Sequence, residues 1–243
     1  MTIKNIFSNK KASHVGVVLS FVIFVTFLVF LFSIFGSPIK FSKTKEPLLD
    51  YLEVELNNRL ISNLTILTIT PDMSNSNKKC IKIVYEDLEL EVLSNLNSLV
   101  KDKNSNLIGS TPNLYINWED NNENFFKIFY SEETLIDFGS SRTIGCYSLV
   151  EGDISSFRKN YYFNENKINN FILDYASNYT ELKQNLGLLI NNEFSLSFTD
   201  AEGNINQTEQ KDIITDIYSR KIPVQYFDEF AEINSGFINL KVW

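Results

Sequence analysis

One histidine, His14, serves a chain of 243 residues, and it stands at the edge of an apolar run rather than among the residues that fold. A Ser–His or Cys–His nucleophile pair needs a base inside the folded domain, so that class of mechanism is excluded. Glycine is nearly as scarce, at nine residues. There is no GxxxxGK[ST] loop, no GxGxxG turn and no GxSxG elbow, and nucleotide-handling folds of those types are excluded with them. The two cysteines form no CxxC pair, which leaves no zinc-binding spacing. Basic residues are outnumbered, 22 Lys and Arg against 30 Asp and Glu, and setting aside Lys4, Lys10 and Lys11 leaves 19 against 30. A surface of that sign repels a phosphate backbone, so no nucleic-acid partner is expected. No catalytic residue, cofactor or metal ligand is legible, and the expectation is a protein that is not an enzyme.

Long apolar runs are absent too, with one exception. Val15 to Phe35, VGVVLSFVIFVTFLVFLFSIF, holds 17 Val, Ile, Leu or Phe residues in 21 and no charge. At about 1.5 Å per residue it reaches about 30 Å, the thickness of a bilayer's hydrocarbon core, so the lipid bilayer is its expected partner. The run is longer than the apolar stretch of a cleaved secretory signal and ends without an A-x-A-like site, which points to a retained anchor. Lys4, Lys10 and Lys11 precede it while Lys40, Lys43 and Lys45 follow, so the positive-inside count is tied. The 207 residues after Gly36 carry the folding information and both cysteines, and this favours an internal N-terminus. The expected plan is a basic cytoplasmic leader (1–14), a transmembrane helix (15–35) and an extracytoplasmic domain (44–243) at the cell membrane.

An even cysteine count in an external domain suggests that Cys80 pairs with Cys146, two free thiols being the alternative. Asn63-Leu64-Thr65, Asn178-Tyr179-Thr180 and Asn206-Gln207-Thr208 fit the glycosylation pattern, at a frequency that this asparagine-rich composition produces by chance.

In the large domain, Leu48, Leu49, Leu52, Leu56 and Leu60 recur at helical spacing after Pro47, predicting a stalk helix whose stripe docks on a sheet. Asn63 to Thr70 and Cys80 to Glu86 read as paired strands. The run Leu88, Leu90, Val92 fits strand or helix. Leu114, Ile116 and Trp118, then Phe126, Ile128 and Tyr130, alternate on either side of Asp120–Asn124 and predict a hairpin. Thr143 to Val150 reads as a strand holding Cys146. Ile168, Phe171, Ile172, Tyr175, Tyr179, Leu182 and Leu186 define the main helix, with Asn164 as N-cap and Gly187 as C-terminal cap. Its aromatic row is a core face or, less commonly, a ligand platform. Phe194, Leu196 and Phe198 alternate in a half-buried strand, and Lys221–Asp228 and Gly236–Trp243 close the chain as two more. Together these predict an α+β fold: a transmembrane helix and a stalk helix, then a mainly antiparallel sheet covered by one long helix. Glu86-Asp87, Glu132-Glu133 and Asp228-Glu229 lack Ca²⁺-loop spacing and read as solvated acids. Gly139-Ser140-Ser141-Arg142 is a loose match to an anion-binding turn.

The segment Lys10-Lys11-Ala12-Ser13-His14-Val15-Gly16-Val17-Val18-Leu19 resembles the start of archaeal type IV pilin-like proteins, and the strands at 221–224 and 236–243 are similar to archaeal single-span surface proteins. The resemblance implies a leader cut between Lys11 and Ala12, a helix able to pack into a filament, a β-rich head, and pilin-like or envelope protein partners. The family's glutamate at the fifth mature position is Gly16 here. The functional expectation is a membrane-anchored, non-catalytic surface protein acting through protein contacts, with a ligand-binding or sensing ectodomain as the alternative.

Overall fold

The computed structural model describes residues 11–35, 45–72, 78–88, 90–109, 115–117, 124–137, 139, 145–189, 191–208 and 216–243. The chain forms two compact units, Met1–Thr44 and Lys45–Trp243.

In the first unit, α1 (Lys11–Phe35) is a single helix of 25 residues. It is the one described helix long and apolar enough to cross a membrane, and its apolar side chains from Val15 to Phe30 are exposed. The Thr26 hydroxyl donates to the Val22 and Ile23 carbonyls at 2.9 Å, so this polar group carries no unmet hydrogen bond into an apolar medium.

The second unit is α+β. α2 (Glu46–Leu60) follows Pro47 in its first turn and buries Leu49, Leu52, Leu56 and Leu60. The sheet strands are β1 (Ile61–Ile69), β3 (Asn97–Asp102), β4 (Leu107–Ile108), β6 (Phe126–Ser131), β8 (Ile154–Asn164), β9 (Phe194–Thr199), β10 (Ile205–Gln207), β11 (Tyr218–Phe227) and β12 (Ile233–Val242). They lie in the order β10-β9-β12-β11-β8-β1-β6-β3-β4, and every pairing is antiparallel except β8 with β11. A small sheet, β5-β2-β7, is built from β2 (Cys80–Lys82), β5 (Tyr115–Asn117) and β7 (Tyr147–Ser148).

Two helices, not one, share the main core. The leucine stripe of α2 and Ile168, Phe171, Ile172, Tyr175 and Leu182 of α3 (Glu165–Asn185) bury against Phe194, Leu196 and Phe198 and the inward residues of β11 and β12. α3 starts where the Asn164 side chain accepts from the Lys167 N–H at 3.0 Å, and it ends at Gly187, whose φ of +66° suits glycine. Tyr175 is 2 % exposed and donates to the Phe194 carbonyl at 2.8 Å, which makes the aromatic row a core face rather than a ligand platform. Arg220 on β11 pins α2 to the sheet through Glu46, Asp50 and Glu53 at 2.6 to 2.9 Å.

Two predicted pairings are overturned. The strand at 126–131 does not close a hairpin on 115–117. β6 lies between β1 and β3, with both edges occupied, while β5 pairs with β2 in the small sheet. Likewise β1 pairs with β6 and β8, and not with β2. Alternation selects the face that a strand buries, but it leaves the partner open. The described residues of the Leu88–Val92 segment are in neither a strand nor an α-helix; two 3₁₀ turns, Glu86–Leu88 and Glu91–Leu93, bury Leu88 and Leu93. Of the strand predicted over 143–150, residues 143 and 144 lie outside the described residues, and the described part holds β7, with Cys146 just before it. β8, eleven residues long, and β3 correspond to no strand expected from the sequence.

Cys80 and Cys146 are bonded as a disulfide, with their Cα atoms 4.8 Å apart. It ties the first residue of β2 to the approach of β7 and so closes the small sheet over Leu67, Ile69, Phe126 and Ile128 of the large one.

Candidate functional site

The opposite face of the large sheet is covered in part by Leu135, Ile136, Phe227 and Ala231, and across β3, β6, β1 and β8 it carries a groove of about 550 Å³. The strand registers define its floor. Lys101 lies across from Lys127, Lys127 across from Thr68, and Thr68 across from Ser156, one row over four strands. The next row runs Leu99, Phe129, Ile66 and Arg158. Residues directly opposite one another share a face, so Lys101, Lys127 and Arg158 all belong to this one. With neighbouring strands about 4.8 Å apart, the three cations fall within about 15 Å of sheet.

Their environments differ. Lys101 is buried, and its Nζ lies 3.5 Å from Glu232 Oε1 and 5.6 Å from the centre of the Phe129 ring. Lys127 is exposed with its Nζ 5.9 Å from the Phe125 ring, and Arg158 is exposed. Among the described residues that line the groove, Glu232 is the one carboxylate beside Lys101, Lys127 and Arg158, in a chain of net charge −8.

Two tight turns form the rim. In Asp102–Asn106, the Asp102 carboxylate accepts from the N–H groups of Asn104 and Asn106 at 2.8 Å, and Ser105 has φ +66°. In Asp228–Glu232, Asp228 accepts from Phe230 and Glu232 at 2.9 and 2.8 Å, and Ala231 has φ +55°. These two are the non-glycine residues with positive φ among those described, and both line the groove. A third turn of the same form, Asp200–Asn204, places Gly203 at the left-handed position. Residues other than glycine pay for that backbone, and such strain concentrates where surrounding structure holds a site in shape. Ala231 is held because its methyl group is buried with Leu64, Leu99, Phe129 and Phe227 beneath the groove.

None of the acid pairs read from the sequence forms a site. Glu133 binds the Ser62 hydroxyl at 2.9 Å and Lys167 at 2.8 Å, and Asp228 is committed to its turn. Among the described residues no group of His, Cys, Asp and Glu is arranged to hold a metal ion. Ser140, Ser141 and Arg142 of the anion-turn match lie outside the described residues, as do residues 1–10 of the leader. α1 begins at Lys11, so the Lys11–Ala12 bond sits at the start of that helix. Lys127 reads from the sequence as the polar half of an alternating strand, while Lys101 and Arg158 fall in segments assigned to no strand; only the registers bring the three together.

No protein-family model, curated protein or solved structure matches this chain.

Proposed function

We propose that the chain is a single-span membrane protein whose folded domain stands outside the cytoplasm and binds carboxylate-bearing partners in the groove of Lys101, Lys127 and Arg158, without catalysing a reaction. The observation that carries this reading is the concentration of three cations on one open sheet face of an acidic domain. Charge placed against the general trend of a surface steers and orients a partner of opposite sign. Lys101 is committed to Glu232, and the remaining groups that line the groove are suited to holding charge rather than to moving a proton. The disulfide agrees with an oxidising, external compartment, and α1 agrees with a single-pass anchor.

Protease treatment of intact cells tests the placement. The large domain is cut while a cytoplasmic control survives; protection of the domain alongside cutting of an external control contradicts it. The pilin-like plan is tested by sequencing the mature N-terminus: Ala12 supports cleavage after Lys11 and assembly through the α1 helix, whereas Met1 supports a plain anchor.

A second reading, a sensor of a small carboxylate, is favoured by the groove volume, which falls within the range of about 300 to 1,000 Å³ common for small-molecule sites.

A further inference from the structure

We infer that the outer edge of β8 is a docking edge for an extended, carboxylate-bearing strand of a partner protein, laid beside the cationic groove. This rests on the groove being a binding surface.

β8 pairs with β1 from Ile154 to Phe163. On its other side it meets β11 only at Phe163 and Asn164, opposite Tyr226 and Phe227. From Ile154 to Tyr162, therefore, the outward N–H and C=O groups of β8 have no strand partner among the described residues, although β8 lies in the middle of the strand order rather than at its end. A row of free backbone groups is a template for another strand. The opening is about 30 Å long at about 3.3 Å per residue, room for a segment of up to nine residues.

The side chains along this edge state the partner's chemistry. Ser156 and Arg158 face the groove, while Phe157, Lys159 and Tyr161 alternate onto the other face, where Phe157 is 51 % and Tyr161 65 % exposed. Arg158 and Lys159 put a cation on each face. Pairing of this edge with the same edge of a second copy would set those cations against each other, which disfavours self-association. An acidic strand meets complementary charge on both faces, aromatic surface on one, and main-chain hydrogen bonds throughout. That is the division of labour in strand addition: backbone bonds supply affinity and alternate side chains supply selectivity. An anionic glycan could use the lysines and Arg158 but not the amide edge, so the open edge favours a polypeptide.

The test uses the full chain in detergent micelles and three probes: a nine-residue peptide alternating Glu and Val, the same peptide with its backbone nitrogens methylated, and polygalacturonate, which has carboxylates but no amides. The unmodified peptide is expected to bind, with amide exchange slowed at least about tenfold at the outward positions of 154–162. Methylation is expected to weaken binding about a hundredfold, the loss of several hydrogen bonds, and Arg158→Glu about tenfold. Equal binding of the methylated peptide overturns strand addition. So does binding of polygalacturonate and peptide alike with no change in exchange at 154–162, an outcome that leaves the groove itself standing. Failure of all three probes to bind overturns both.

Discussion

Lys101 and Lys127 stand directly across from each other on neighbouring antiparallel strands, on the same face of the sheet. Like charges so placed destabilise a sheet. Glu232 and the Phe129 ring offset part of this at Lys101, while Lys127 is exposed with the Phe125 ring 5.9 Å from its Nζ. The sheet gains nothing from this pair; the proposed binding face would use the second lysine.

Replacing Lys127 therefore separates stability from binding. Lys127→Glu is expected to stabilise the folded chain by about 0.5 kcal/mol, by turning a repelling cross-strand pair into an attracting one, while weakening binding of a polycarboxylate about tenfold. Urea denaturation beside a binding titration checks both. A destabilised variant with unchanged binding would assign Lys127 to the fold.

The left-handed backbone at Ser105 gives a second expectation. Ser105 is exposed, so Ser105→Gly relieves backbone strain without removing packing, and it is expected to raise stability by about 1 kcal/mol. Ala231→Gly gains less, because the Ala231 methyl group is buried in the cluster beneath the groove. Thermal unfolding of the two variants compares them, and equal gains would show that the Ala231 methyl group contributes nothing.

The disulfide closes a loop between positions 66 apart. In the chain-entropy model its removal costs about 4 kcal/mol. The small sheet has strands of two and three residues, so its few ladder hydrogen bonds leave the disulfide and the packing of Ile81 and Ile116 to hold it. In Cys80→Ala/Cys146→Ala, amide exchange is expected to accelerate first in Ile81, Lys82 and Ile116, ahead of β11 and β12. Uniform acceleration across both sheets would show that the small sheet is no separate unit.

Acid sensitivity follows from Asp200. The Asn204 side chain, with backbone N–H groups of the same turn, holds its carboxylate below the ordinary range. A depressed folded pKa contributes stability that is fully present above the unfolded value, about 3.9, and is lost as pH falls through the folded one. Stability of the wild type is expected to fall more steeply below pH about 4 than that of Asp200→Asn, as read by denaturant midpoints across that window. Parallel curves would mean that the turn does not favour the ionised form.

Much of the local structure was legible. The α2 stripe, the Asn164 and Gly187 caps, the Phe194–Phe198 alternation and the Cys80–Cys146 pair each follow from interactions within a few residues or from a parity rule. What stayed hidden was pairing. Phe126, Ile128 and Tyr130 declare a buried face but say nothing of whether β5 or β1 lies alongside. β8 escaped because both of its faces are partly open, so Phe157, Arg158, Lys159 and Tyr161 show no alternation, although its aromatic content is that of a strand. The groove was hidden for the same reason, since it exists only where β3, β6, β1 and β8 are set in register.

The most direct measurement is a titration of the full chain in lipid nanodiscs with poly-L-glutamate, for wild type and for Lys127→Glu/Arg158→Glu, at low and high salt. Binding that weakens with salt and is lost in the double variant is the predicted result. No binding by the wild type, or equal binding by the variant, would contradict a cationic groove built to hold carboxylates.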